Sequence, residues 1–211
     1  MKDIVIVGGG SSSDLVLWNH PNWEYWGLIA LEPLMERCDL WFELHPLSVL
    51  SAREIARCRK ATVPVLMIQA YARIPRSIRF PVELVQGHGS RLFTNSFCYQ
   101  IAYAIHYGVQ ALHLYGLGDL VTGSARERVF ERLGVAYWVG VAQGRGITVD
   151  IPDRDRVIWE RFLYGLEYWQ EVKWVRQELR SLKQVLTQKK LDGFTTERRV
   201  SQGAARIARK L

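Results

Sequence analysis

Three side chains able to accept a proton sit where a strand is about to end: Glu43, His45 and Asp119. His45 follows the run Asp39-Leu40-Trp41-Phe42-Glu43-Leu44 and precedes Pro46. Imidazole is the side chain best suited to general-base work near neutral pH. The plainer reading of His45 is a histidine hydrogen-bonded before a proline turn. Asp119 follows Gly116-Leu117-Gly118, where a carboxylate either meets a ribose hydroxyl or a metal, or stabilises its own turn. A second set has the chemistry of phosphate binding. Gly8, Gly9 and Gly10 are followed by Ser11, Ser12, Ser13 and Asp14. The glycines let a backbone turn sharply and a ligand approach closely. The serines supply hydroxyls and amides at the start of a helix expected near Leu15, and such a corner suits an anion. The third glycine of the dinucleotide fingerprint would fall at Ser13, so the expected ligand is nucleotide-like rather than NAD. The alternative is a tight strand-to-helix turn with no ligand. Thr94-Asn95-Ser96 precedes an apolar helical run, and Thr94 or Asn95 can cap it.

The elements that position these residues alternate. Ile4-Val5-Ile6-Val7 reads as a strand buried on both faces. Further strands are expected at 24–31, 39–45, 63–68, 109–115 and 147–151, with a short one at 82–85. Helices are expected at 51–60, 97–107 and 124–143. This order predicts an α/β, Rossmann-like, mostly parallel sheet with helices on both faces. Ligands of such sheets bind beyond the carboxyl ends of the strands. The loops that qualify are Gly8–Asp14, His45–Ser48 and Gly116–Thr122, joined by Phe93–Ser96. Gly116 thus joins the candidate nucleotide-binding residues.

The 211 residues are 48% hydrophobic, enough for one substantial domain and an appendage. The expected divisions are a nucleotide-binding domain over 1–152, a long amphipathic helix over 153–190 and a basic tail over 191–211. Ile158, Phe162, Leu166, Trp169, Val172, Val175, Leu179, Leu182 and Leu186 recur at steps of three and four, one stripe along a helix. Such a stripe either pairs subunits, giving a homo-oligomer, or folds back on its own domain. The net charge is +7, and Gln188 to Leu211 holds seven basic residues against two acidic ones. A nucleic-acid partner and a solubilising terminus both fit. No apolar run is long enough for a membrane span, and no signal peptide is evident, so a cytoplasmic protein is expected. Cys38, Cys58 and Cys98 are isolated, and there is no HExxH motif or acidic cluster, so no metal site is expected. Trp18, Trp23 and Trp26 can stack on a base or a sugar, or pack in the core.

Several of these segments together carry a family likeness. Val5–Ser12, Trp41–His45, Phe93–Ser96 with its helix to Gly108, Leu112–Gly116 and Tyr137–Gly140 resemble blocks of uncharacterised phage-type Rossmann-like proteins. More remotely, they are similar to the bacterial sialyltransferases of glycosyltransferase family 42. The likeness covers about residues 5–151 and leaves out the C-terminal helix. It implies a cytidine nucleotide-sugar near Gly8, Gly10 and Ser12, with Thr94, Asn95 and Ser96 beside it. Gly9 stands where the family has asparagine, Ser11 where it has proline, and Val141 near its catalytic histidine. Two functions follow as expectations. One is a nucleotide- or nucleotide-sugar-binding, glycosyltransferase-like protein. The other is a non-catalytic binding or assembly protein on a degenerate transferase fold, phage-encoded, which holds a partner or nucleic acid through its C-terminal helix and tail.

Overall fold

The structure is a computed structural model, which describes residues 3–117, 125–155, 157–158 and 168–192. The chain divides into two units, Met1–Trp159 and Glu160–Leu211.

The first unit is built on seven parallel strands: β1 (Asp3–Val7), β2 (Trp23–Leu28), β3 (Leu40–Glu43), β4 (Val65–Met67), β5 (Ser77–Arg79), β6 (Ala111–Tyr115) and β7 (Thr148–Asp150), in the order β5-β4-β3-β2-β1-β6-β7. The β-branched run of β1 takes the interior, with Ile4, Val5 and Ile6 fully buried. Alternation assigns its side chains to opposite faces. Ile4 and Ile6 join Trp26, Phe42, Leu66, Leu112 and Leu114 in the main core. Val5 and Val7 join Tyr25, Tyr115, Trp23 and Val16 on the other face. The short edge strands β5 and β7 carry the exposed positions, as edges in soluble sheets do.

Among the described residues of this unit are four helices: α1 (Ala52–Lys60), α2 (Val82–Gln86), α3 (Ser96–Tyr107) and α4 (Ala125–Gly144). A capping box starts α1. Ser51 Oγ accepts from the Glu54 amide, and the Glu54 carboxylate accepts from the Ser51 amide at 2.8 Å. Asn95 caps α3, and Gly108 ends it in the left-handed region at φ 78°. Phe97, Ile101 and Ile105 of α3 are buried in the main core, each worth roughly 1.5–3 kcal/mol. α4 packs on α3 through Gly134. A Cβ there would stand 1.9 Å from Thr94 Oγ1 and 2.8 Å from Cys98 Sγ.

Four sequence expectations change. Ser11–Leu15 is a single 3-10 turn rather than the start of a helix. The second strand stops at Leu28, because Ile29–Leu34, which contains Pro33, winds into another 3-10 turn. The segment at 82–85 is helical, begun by Pro81, and the strand beside β4 is Ser77–Arg79. The long helix expected over 153–190 does not start at Asp153: Asp153–Asp155 is a 3-10 turn. In the second unit, α5 (Tyr168–Asp192) spans 25 residues, roughly 37 Å at the usual rise. Most of the expected tail lies outside the described residues. Among the described residues, no helix is long and apolar enough to cross a membrane.

Candidate functional site

The chain lays strands outward from β1 to β5, then returns through α3 to place β6 on the other side of β1. The reversal between β1 and β6 opens the crevice at which such sheets commonly hold ligands. Gly8, Gly10 and Gly116 meet there. The Gly8 amide donates to the Tyr115 carbonyl at 2.7 Å, and the Gly10 amide to the Gly116 carbonyl at 2.9 Å. A Cβ on Gly8 would lie 2.2 Å from the Gly116 carbonyl oxygen. Gly116 has φ 70°, and a Cβ on it would lie 2.6 Å from the Gly8 carbonyl oxygen. These glycines therefore serve a close approach of two backbones.

Two buried side chains close the corner. The Gly116 amide donates to Ser12 Oγ at 2.6 Å and to Asp155 Oδ2 at 3.0 Å. Ser12 Oγ donates to Asp155 Oδ2 at 2.5 Å. Ser12 and Asp155 are both fully buried. The hydrogen-bonding capacity expected for a phosphate at Gly8, Gly10, Ser12 and Gly116 is thus taken by the protein itself. Gly9 and Ser11 face solvent. Asp155 had no signal in the sequence, since 143 positions separate it from Ser12.

The start of α3 abuts this corner: the Phe97 ring lies 3.0 Å from the Cβ position of Gly8. Asn95 Oδ1 accepts from the Cys98 amide at 3.1 Å, while its buried Nδ2 has no partner among the described residues. Thr94 is committed to the α3–α4 contact, its hydroxyl 3.4 Å from the Glu131 carbonyl. Ser96 opens the helix and is half-buried.

At the end of β3, His45 Nδ1 lies 2.7 Å from Glu43 Oε1, which also accepts from the His45 amide at 3.1 Å. The carboxylate is 5% exposed and the imidazole 63%, so a buried acid orients a solvent-facing ring. Hydrogen bonds from Ser51 hold the nearby Glu54 carboxyl below its ordinary value, with a smaller pull from His45. Asp119 lies outside the described residues. Val141, near the family's histidine position, packs on the main core.

Next to His45 in the chain, Leu44 borders an open apolar cavity of about 170 Å³, lined also by Ile68, Phe80, Val82 and Tyr99. Leu44, Ile68 and Phe80 are each the first residue beyond β3, β4 and β5. Sequence reasoning missed them. Their signal was position, one step past each strand's carboxyl end. Burial holds the Tyr99 phenol above its ordinary value, so it stays protonated at neutral pH.

The remaining candidates are structural. Trp26 is fully buried, and Trp23 stacks between His20 and His113 at centroid distances of 4.4 and 4.3 Å. His113 sits within β6, its Nδ1 3.4 Å from Asp150 and its Nε2 3.8 Å from Asp3. Among the described residues, no three His, Cys, Asp or Glu side chains gather to hold a metal.

No family model and no curated protein sequence matches the chain, so the phage-type likeness has no support of that kind. Solved structures do match it. The sialyltransferase CST-II in complex with a trisaccharide acceptor and CMP superposes with a TM-score of 0.50 at 11% identity, over 71% of this chain and 80% of that one. CstII from Campylobacter jejuni with CMP-3FNeuAc gives 0.48 at 13%, over 72% and 80%. Thiamine pyrophosphokinase from Bacillus subtilis gives 0.43 at 14% identity, and the chain spans only 60% of its length. The CST-II superposition shows the class of fold alone: an α/β, Rossmann-like sheet.

Proposed function

We propose that this protein binds a nucleotide or nucleotide-sugar at the carboxyl edge of β3, β4 and β5 and transfers the sugar to an acceptor. The observation that carries the reading is His45, oriented by buried Glu43 at the end of β3, where the intervening Leu44 lines an apolar cavity. With Glu43 taking the Nδ1 proton as a hydrogen bond, the Nε2 lone pair faces outward to accept a proton from a hydroxyl. As that proton moves to Nε2, the acceptor oxygen bonds to the anomeric carbon. The bond to the nucleotide phosphate breaks, and its electron pair leaves with the phosphate. The aromatic walls Phe80 and Tyr99 suit a base. Gly9, Ser11, Asn95 and Ser96 remain the candidates nearest the phosphate, with Asp119 as a second acid or hydroxyl ligand. Unpaired Cys38, Cys58 and Cys98 support a reducing, cytoplasmic setting.

The test is turnover of nucleotide-sugars by the wild type and by His45→Ala. The variant is expected to lose about 10²–10⁴-fold in rate, the usual worth of a positioned base. Equal turnover in both proteins removes His45 from the chemistry.

One observation favours a second reading. The corner that holds the nucleotide in the resembled family is closed here by Ser12 and Asp155. A non-catalytic binding or assembly protein would need no open corner. In that reading α5 pairs two copies, and the basic tail meets nucleic acid. Salt-dependent nucleic-acid binding that disappears on truncation after Lys190, with no turnover of any nucleotide-sugar, would establish it.

A further inference from the structure

His88, in the loop between α2 and α3, meets His106, in the last turn of α3. His88 Nε2 lies 3.1 Å from His106 Nδ1, with ring centroids 5.3 Å apart. The loop that carries His88 is anchored on α4 and just beyond its end. The His88 carbonyl accepts from Arg145 Nη2 at 2.9 Å, the Ser90 amide donates to the Tyr137 phenol oxygen at 2.6 Å, and Trp138 Nε1 donates to the Leu92 carbonyl at 2.9 Å. His106 is fixed by the helix itself. Two imidazole nitrogens are thus held face to face on backbone with little freedom to move.

We propose that this pair binds a divalent transition-metal ion of the copper, nickel and zinc class. Metal–imidazole bonds of about 2.0–2.1 Å spanning the 3.1 Å separation give a nitrogen–metal–nitrogen angle of roughly 95–100°. That angle lies between the square-planar and tetrahedral values, and imidazole suits these ions, copper(II) most strongly. When the ion enters, the ring that donated the hydrogen bond moves its proton to its other nitrogen, and both facing lone pairs go to the metal. Water fills the remaining positions, so the ion exchanges readily. The positive charge of Arg145 opposes it and limits its affinity. Bound there, the ion staples the 87–92 loop to the end of α3.

The full chain, stripped with a chelator, is titrated calorimetrically with copper(II) and separately with zinc(II). The wild type is expected to take one ion per chain and to show imidazole nitrogen coupling in the copper(II) electron paramagnetic resonance spectrum. His106→Ala, at an exposed position, should bind at least tenfold more weakly and lose that coupling. His45→Ala, which removes a histidine outside this pair, should bind as the wild type does. Wild-type affinity in His106→Ala overturns the proposal. So does loss of binding in His45→Ala instead, or the failure of the wild type to bind either ion. A melting curve for each variant shows that the chain remains folded.

Discussion

A methyl group on Gly8 would stand 2.2 Å from the Gly116 carbonyl oxygen, and one on Gly116 would stand 2.6 Å from the Gly8 carbonyl oxygen. Neither strand end can retreat, because both belong to the centre of the sheet. Gly8→Ala is therefore expected to cost about 2–3 kcal/mol in urea unfolding, the range of overpacked core sites. Asp155→Ala leaves the Ser12 hydroxyl without its acceptor in a fully buried place. It should cost about 1–3 kcal/mol, and Asp155→Asn less, since the amide keeps an acceptor oxygen. If Asp155→Ala unfolds at the wild-type urea concentration, the corner is not held as described. At this scale the sequence was partly legible. The glycines announced a close approach, and β1 announced burial. What approached them was hidden, because a backbone more than a hundred residues away and a distant carboxylate leave no local pattern.

At the scale of elements, two of the three glycines of α4 have opposite roles. Gly134 is pressed against Thr94 and Cys98, while a Cβ on Gly140 would meet nothing within 4 Å. Gly140→Ala should stabilise the protein by about 0.5–1 kcal/mol through helix propensity. Gly134→Ala should destabilise it, despite the same gain in propensity. Thermal melts of the two variants decide the matter, and a shift in the same direction for both contradicts the packing of α3 on α4. The capping box of α1 gives a pH test. The Glu54 carboxyl is held below its ordinary value by Ser51, so its contribution is present above the unfolded carboxyl range. It is lost as pH falls through the lowered folded value. The stability gap between the wild type and Glu54→Gln should therefore be full at pH 7 and close in the acid range. A gap that widens on acidification contradicts the assignment. Because caps are local, the sequence offered Thr94 or Asn95 as the α3 cap, of which the structure selects Asn95. It misplaced the strand at 82–85, because Val82-Glu83-Leu84-Val85 fits either element, and only pairing with β4 decides which segment becomes β5.

For the whole molecule, the parallel order and the reversal between β1 and β6 place the described residues that follow β1, β3 and β6 at one end of the sheet. Alternation of strand and helix made that much readable. The division of labour along the edge was not readable. The β1–β6 corner spends its hydrogen bonds internally, whereas the β3–β5 end keeps an oriented imidazole and an apolar cavity. Ligand stabilisation measured on the wild type and on Ile68→Trp tests this most directly. Ile68 lines the cavity and is 42% exposed, so a larger ring there fills the cavity while leaving the core alone. Cytidine, uridine, guanosine and adenosine nucleotide-sugars are compared by thermal shift. At least one should raise the melting temperature of the wild type, and Ile68→Trp should lose most of that rise. An equal rise in both proteins, or no rise with any nucleotide-sugar, would contradict a ligand seat at the end of β3, β4 and β5.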